Sequence, residues 1–206
     1  MTIPDSVETI GNFSFAYCYG FTGDLVIPDS VTNIGSSAFY MGSDAESLLD
    51  GAIVIGDGVT SIGSDAFGYC VLANSLTLGN SIVSIGSKAF YSCSGLTSSL
   101  VIPNTVQIIG DYAFYQCIVL NTVNCYIATP LVINANVFQS VNQAACTLNV
   151  PVGTQGAYQA AAVWQNFAPI NGNLLSNNSF IVENALKMYP NPVSEILSIE
   201  LQNGLE

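Results

Sequence analysis

The feature that most constrains this chain is a repeat. The pattern Ile/Leu-Pro-x-x-Val-x-x-Ile-Gly-x-x-Ala-Phe-x-x-Cys recurs along it, with glycines at Gly11, Gly35, Gly63, Gly86 and Gly110. Its phenylalanines are Phe15, Phe39, Phe67, Phe90 and Phe114, with Phe138 as a degenerate sixth. Successive phenylalanines are 24, 28, 23, 24 and 24 residues apart. A period in the low twenties predicts a solenoid, in which each coil buries its apolar face only against its neighbours. The 28-residue step contains MGSDAESLLDGA, residues 41–52, which reads as a surface loop inserted into one coil.

Within each repeat an alternating piece precedes a turn. Leu25/Ile27, Ile53/Ile55, Leu76/Leu78, Leu100/Ile102, Val123/Cys125 and Leu148/Val150 fall in register. Side chains two apart on a strand share a face, so stacked coils turn these pairs into inward aliphatic ladders of a parallel sheet. Proline cannot donate a ladder hydrogen bond, and Pro28, Pro103 and Pro151 therefore mark strand ends. Asp or Asn followed by Val-x-x-Ile-Gly reads as a turn into a second short strand, with the glycine expected to take a left-handed backbone at the corner. Ala-Phe-x-x-Cys is too short for an independent helix and predicts one helical or 3₁₀ turn, with the phenylalanine as the plug.

The period stops after Val150-Pro151. Residues 155–165, QGAYQAAAVWQ, predict a helix with Tyr158, Ala161, Ala162 and Gln165 along one side, and Trp164 and Phe167 follow as large apolar plugs. An array needs such a cover over its last coil. The division expected is an array over 1–150 (about six coils), a cap over 151–170, a Gly/Asn/Ser-rich linker over 171–180 and a separate segment over 181–206. The first coil has no matching cover, so its edge is expected to be exposed. The chain opens inside a repeat, and is expected to be a piece of a longer protein with Met1 and Leu205-Glu206 added.

Charge narrows the functions open to it. Fourteen acidic residues stand against Lys88 and Lys187, with no Arg or His, for a net charge of -12. Nucleic-acid binding needs cations to neutralise phosphates, so no nucleic-acid partner is expected, and docking on anionic lipid is disfavoured for the same reason. No apolar run is long enough for a membrane span, and no membrane insertion is expected. Without His there is no Ser-His or Cys-His pair, and with so few cations little could stabilise an oxyanion or phosphate, so no enzyme is expected.

Cys18, Cys70, Cys93 and Cys117 each follow a repeat phenylalanine by three residues. One thiol per coil spreads along the axis instead of converging, so no metal is expected. Buried free thiols are the reading, with a disulfide between adjacent coils as the alternative. Cys125 sits at a core strand position and Cys146 precedes the next strand. Asp5, Asp29, Asp57, Asn80 and Asn104 align at one turn position and read as Asx turns, with a cation ladder as the alternative. The inserted loop carries Asp44, Glu46 and Asp50, but its spacing misses the EF-hand calcium template.

Between the paired core residues lie Val26, Val54, Thr77 and Val101, which predict a stripe on the outward sheet face and a candidate protein-binding surface. β-branched residues also suit any pleated surface. Tyr40, Tyr91 and Tyr115, next to repeat phenylalanines, are candidates to stack on sugars, or partly buried packing with a wet hydroxyl.

The repeat, with IPDSVTNIG and AFYSC as examples, resembles the BspA-type leucine-rich repeat, also named after treponemal surface proteins, over residues 2 to about 170. Gly42 stands where Cys is usual, and Gly56 and Gly79 where Pro is usual. The resemblance implies a right-handed leucine-rich-repeat solenoid, mainly parallel β with short helical or 3₁₀ turns and a C-terminal capping helix. ENALKMYPNPVSEILSIEL is similar to the start of the C-terminal sorting domain of type IX secretion in Bacteroidetes, through Tyr189, Pro190, Asn191 and Pro192. Asp5-Ser6-Val7 and Asp29-Ser30-Val31 resemble the O-glycosylation acceptor motif of the same bacteria, letters that turn geometry alone also produces. Together these imply a non-catalytic, secreted or outer-membrane surface module without cofactor, of a Bacteroidetes-type bacterium, binding an extracellular protein of a host, matrix or other bacterium. The alternative is a carbohydrate-binding or spacer module of a larger secreted enzyme.

Overall fold

Each repeat delivers two short strands because two apolar residues in it must face the same core. The computed structural model describes residues 2–42, 49–96 and 99–175. Asp44, Glu46, the Tyr189–Pro192 motif and the segment 181–206 lie outside the described residues. One set of strands comprises β2 (Leu25–Ile27), β4 (Ala52–Ile55), β6 (Ser75–Thr77), β8 (Leu100–Ile102), β10 (Thr122–Cys125), β11 (Thr147–Pro151) and β12 (Ile170–Leu174). The other comprises β1 (Thr9–Ile10), β3 (Asn33–Ile34), β5 (Ser61–Ile62), β7 (Ser84–Ile85) and β9 (Ile108–Ile109). All pairings are parallel, and Leu25↔Ile53↔Leu76 and Leu100↔Val123↔Leu148 are the expected aliphatic ladders. The chain is a leucine-rich-repeat solenoid of about seven turns, in which the second set forms one continuous five-stranded sheet. The first set divides between β6 and β8 into sheets of three and four strands.

The corner opposite is an aromatic stack. Phe15, Phe39, Phe67, Phe90, Phe114 and Phe138 lie face to face with centroids 5.1, 5.2, 5.3, 5.5 and 5.5 Å apart. Their planes are within 9° of parallel, so one ring per coil runs down the axis. Alternate backbone N–H groups serve different coils here. Cys18 N–H donates to Phe15 O within its own turn, whereas Phe15 N–H and Tyr17 N–H donate to Ala38 O and Tyr40 O of the next coil. The residues two after each repeat glycine, Phe13, Ser37, Asp65, Lys88 and Tyr112, have φ between 52° and 59°. A left-handed residue inside the turn stops a helix from propagating.

The repeat glycines correct one expectation, for none of the five has a positive φ. They are required by close approach. A Cβ on Gly63 would lie 2.5 Å from Ser36 N, and one on Gly110 would lie 2.4 Å from Ser87 N, both backbone atoms of the preceding coil. Gly11, with no described coil before it, would meet only Ser14 Oγ at 3.2 Å. Gly56 has a second use: its N–H donates to Ile27 O at 2.9 Å, a bond that proline at this position would forfeit. Gly42, where cysteine is usual, takes φ 77° and the buried Met41 side chain fills the core beside it.

The cap is shorter in helix than the Ala-rich run predicts. Helix α1 covers Gln155–Ala160, the chain is extended at Ala161, and Trp164–Asn166 forms a separate 3₁₀ turn. Ala162 and Gln165, grouped with Tyr158 along one side by helical spacing, are therefore exposed while Tyr158 is buried. What ends the helix is the demand of its large side chains. Trp164 and Phe167 both turn in to close the stack edge-on against Phe138, at 5.8 and 5.2 Å. Trp164 Nε1 donates to Leu131 O at 2.8 Å, and Tyr158 Oη to Ile127 O at 2.7 Å. Residues 171–174, expected to begin a linker, belong to β12, which pairs in parallel with β11 and extends the sheet by one strand. A polar Gly/Asn composition suffices because this last strand is only half-buried. At the other end Phe15 is only partly buried, over an open depression lined by Ile3, Val7, Ile10 and Phe15.

Candidate interaction surface

Sheet alternation turns Leu25 and Ile27 inward and Val26 outward, and the same parity recurs in each coil. Val26 pairs with Val54, and Val54 with Thr77, while Thr2 bridges to Val26 from the first coil. Val26 is 45 % exposed, Thr77 is exposed and Val54 half-buried. The structure therefore brings three of the four predicted stripe residues into one ladder. Val101 lies across the break between β6 and β8, in register with Asn124.

Beyond Val101 the outward row turns polar. Asn149 Nδ2 donates to Asn124 Oδ1 at 2.8 Å, and Asn171 Nδ2 to Asn149 Oδ1 at 3.2 Å. Sequence reasoning missed this amide ladder, although the middle position of Thr-Val-Asn-Cys and Thr-Leu-Asn-Val carried the signal. The outward face is thus apolar over β2 and β4, and amide-lined over β10, β11 and β12.

Carboxylates border the apolar part. Asp24 Oδ1 accepts Ala52 N–H, Asp29 Oδ1 accepts Asp57 N–H, and Asp57 Oδ1 accepts Asn80 N–H, each at 2.8 Å. The Asx-turn reading is corrected for Asp29 and Asp57, whose side chains reach the equivalent residue of the next coil. An interior coil always offers an aligned N–H one strand spacing away, and that geometry is invisible in a single repeat. Asn12 does the same for Ser36 N–H at 2.8 Å, so the role needs the oxygen and not the charge. Asp50 Oδ1 accepts Gly23 N–H at 2.8 Å. Among the described residues no three His, Cys, Asp or Glu side chains gather as a metal-ligand set.

The phenylalanine corner carries a second aromatic row on its surface. Tyr17, Tyr40, Tyr69, Tyr91 and Tyr115 are linked at centroid separations of 5.6, 5.6, 5.3 and 4.7 Å. Tyr40, Tyr91 and Tyr115 were legible as candidates, but Tyr17 and Tyr69 come from the next residue of their repeats and join the same row. Gly68 makes this possible, because a Cβ there would stand 2.9 Å from the Tyr40 ring. Lys88 Nζ lies 5.9 Å from the Tyr91 centroid. Desolvation first, then neighbouring Tyr69 and Tyr115, push the Tyr91 hydroxyl up, against the pull of Lys88.

The buried thiols are not set up as nucleophiles. Cys70, Cys93, Cys117, Cys125 and Cys146 are buried, Cys18 is half-buried, and all six are unpaired as disulfides. Burial pushes Cys70 and Cys117 up to about 12, away from the thiolate a nucleophile needs. Of the two glycosylation-like serines, Ser6 is exposed, whereas Ser30 Oγ is half-buried and donates to Val7 O at 2.8 Å.

The comparisons agree with this architecture. The sequence pattern described as the BspA type leucine rich repeat region matches residues 1–49 and 46–158, in six copies overall. The fold is similar to the crystal structure of a leucine rich repeat protein of T. pallidum, with 25 % identity and a TM-score of 0.53, over 81 % of this chain and 63 % of that one. It is also similar in fold to the pneumococcal vaccine antigen PcpA, with 16 % identity and a TM-score of 0.51, over 74 % of this chain and 40 % of that one. The chain thus spans less than two thirds of either relative. No curated protein matches. No helix among the described residues is long and apolar enough to cross a membrane, and the chain belongs to the BspA type leucine-rich-repeat family.

Proposed function

We propose that the chain is a non-catalytic protein-binding module of a secreted or cell-surface protein, and that it binds through the outward face of β2, β4 and β6. The observation that carries this reading is the ladder Val26–Val54–Thr77. It keeps apolar side chains toward solvent while the thiols and phenylalanines of the same coils are buried. An exposed apolar row on a rigid sheet offers contact area without ordering cost. Support for the location comes from the family and from the Tyr189–Pro192 resemblance, which points to export in a Bacteroidetes-type bacterium.

A binding survey against extracellular proteins of host, matrix and bacterial origin tests this. Val26→Glu/Val54→Glu should abolish capture while leaving the circular dichroism spectrum unchanged. Capture that survives the double substitution removes this face from the account. Surface proteolysis of intact producing cells tests location, with loss of the intact chain expected.

The tyrosine row favours a second reading, glycan binding, through the near-parallel Tyr91 and Tyr115 rings 4.7 Å apart. A glycan array decides it. Binding lost in Tyr91→Ala/Tyr115→Ala, and kept in the valine variant, would move recognition to the corner.

A further inference from the structure

The outward face divides by charge as well as by polarity, and the division specifies a partner. On the strand-start side of the Val26–Val54 row lie Asp24 and Asp50, and on the strand-end side lie Asp5, Asp29 and Asp57, all exposed. Asp24 shares the outward parity of Val26. The described strands β8, β10 and β11 carry no carboxylate at the corresponding places: by register Ser99, Thr122 and Thr147 stand where Asp24 does, and Asn104, Ile127 and Val152 where Asp29 does. The one basic side chain among the described residues, Lys88, belongs to the phenylalanine corner beside Tyr91.

Coil stacking holds Asp29 and Asp57 one strand spacing apart, about 5 Å, because each is fixed through backbone hydrogen bonding to the next coil. Like charges held in rows at that distance repel one another, and a cation between or above them relieves the repulsion. Asparagine would hold the coils equally well, as Asn12 does, so stacking does not account for carboxylates on both borders of the apolar row.

We infer that the face over β2, β4 and β6 docks a basic segment of a partner protein, one in which Lys or Arg alternates with apolar residues. This rests on the docking-face reading above. Apolar side chains of the segment cover Val26 and Val54, and its cations meet the Asp24/Asp50 border on one side and the Asp5/Asp29/Asp57 border on the other. Charge complementarity of this kind sets specificity and association rate, with strong dependence on salt.

The probe is a twelve-residue peptide alternating Arg and Val, measured by fluorescence anisotropy beside its analogue with Gln for Arg. The Arg peptide should bind, weaken at least about tenfold from low to physiological salt, and lose at least as much on Asp24→Asn/Asp57→Asn. The Gln analogue should not bind. Asp65→Asn/Asp111→Asn, which changes net charge equally but away from this face, should leave affinity within about twofold. Unchanged melting temperatures of both variants verify that the fold is kept. Equal weakening by both variants would mean that the peptide reads overall charge, and would overturn the inference. Proteins captured in the survey separate the two levels. If Val26→Glu/Val54→Glu abolishes capture and Asp24→Asn/Asp57→Asn does not, the basic partner falls and the docking face stands. If neither matters, both fall.

Discussion

The thiol of Cys93 donates to the carbonyl of Phe67, 3.2 Å away in the preceding coil. Cys70 repeats the contact to Phe39 O at 3.6 Å, and Cys117 to Phe90 O at 3.4 Å, so the thiols tie the aromatic stack from coil to coil. Burial pushes Cys70 and Cys117 to about 12 and Cys93 well above its ordinary value of 9.0. Below pH 9 both folded and unfolded chains keep these protons, and stability does not depend on them. Above it the unfolded chain releases protons that the folded one retains, so stability falls as pH rises toward the folded values. Burial raises Cys125 too, and Cys146 to about 11, and five thiols together give a slope of up to about 7 kcal/mol per pH unit. Cooperative alkaline unfolding is therefore expected between pH 9 and about 11. Circular dichroism against pH measures it, and Cys93→Ala should lower the slope by about a fifth. A flat response to pH 11 would contradict the ladder.

The phenylalanine stack makes cost depend on position. Phe90 is fully buried between Phe67 and Phe114, whereas Phe15 ends the stack and is only partly buried. Phe90→Ala should cost about 3–5 kcal/mol, the ordinary range for a buried aromatic. Phe15→Ala should cost less than half of that, since its cavity opens to solvent. Urea unfolding of the two variants compares them directly, and equal losses would contradict an open first coil.

The solenoid was legible because periodicity reports which residues share a ladder, and Leu25/Ile27, Phe90 and Cys93 occupy the places their spacing predicts. What lay between coils was not legible from one repeat. Gly63 looked like a corner glycine until the backbone of Ser36 and Gly35 was seen to fill the space of a Cβ. Asp29 looked like a local turn residue until Asp57 N–H stood in reach. The cap failed differently. Alanines in 155–165 speak for helix by propensity, but burying Trp164 and Phe167 on Phe138 requires the chain to leave the helix at Ala161. Of the stripe, the strand parity of Val101 was right, while the break between β6 and β8 was hidden because Leu76 and Leu100 follow the same pattern.

The amide ladder gives a substitution with a pH signature. Asn149 donates to Asn124 and accepts from Asn171, two roles that an ionised carboxylate, an acceptor only, cannot fill at once. In Asn149→Asp the ionised carboxylate sets an oxygen against Asn124 Oδ1 and should cost about 1–3 kcal/mol at neutral pH. Its folded pKa is then raised above the unfolded value, so the protonated form is favoured in the fold and stability returns as pH falls through that range. Thermal melts at pH 7 and pH 4 should differ for the variant far more than for the parent chain. A variant equally destabilised at both would place the loss in packing instead.

Equivalent glycines should not tolerate alanine equally, and this tests coil contact most directly. At Gly86 an added Cβ would stand 2.7 Å from both Gly63 C and Ser64 N, backbone atoms that cannot move without separating two coils. At Gly11 the nearest atom is Ser14 Oγ at 3.2 Å, the end of an exposed side chain that donates to Gly11 O at 2.8 Å and can shift by a few tenths of an ångström without moving backbone. Neither glycine has a positive φ, so backbone strain does not enter the comparison. Gly86→Ala should therefore cost about 1–3 kcal/mol or more by overpacking, while Gly11→Ala should stay within about 0.5 kcal/mol of the parent. Denaturant midpoints at constant slope give both values. Equal losses would mean that these glycines serve the turn of their own coil and not the contact with the coil before it.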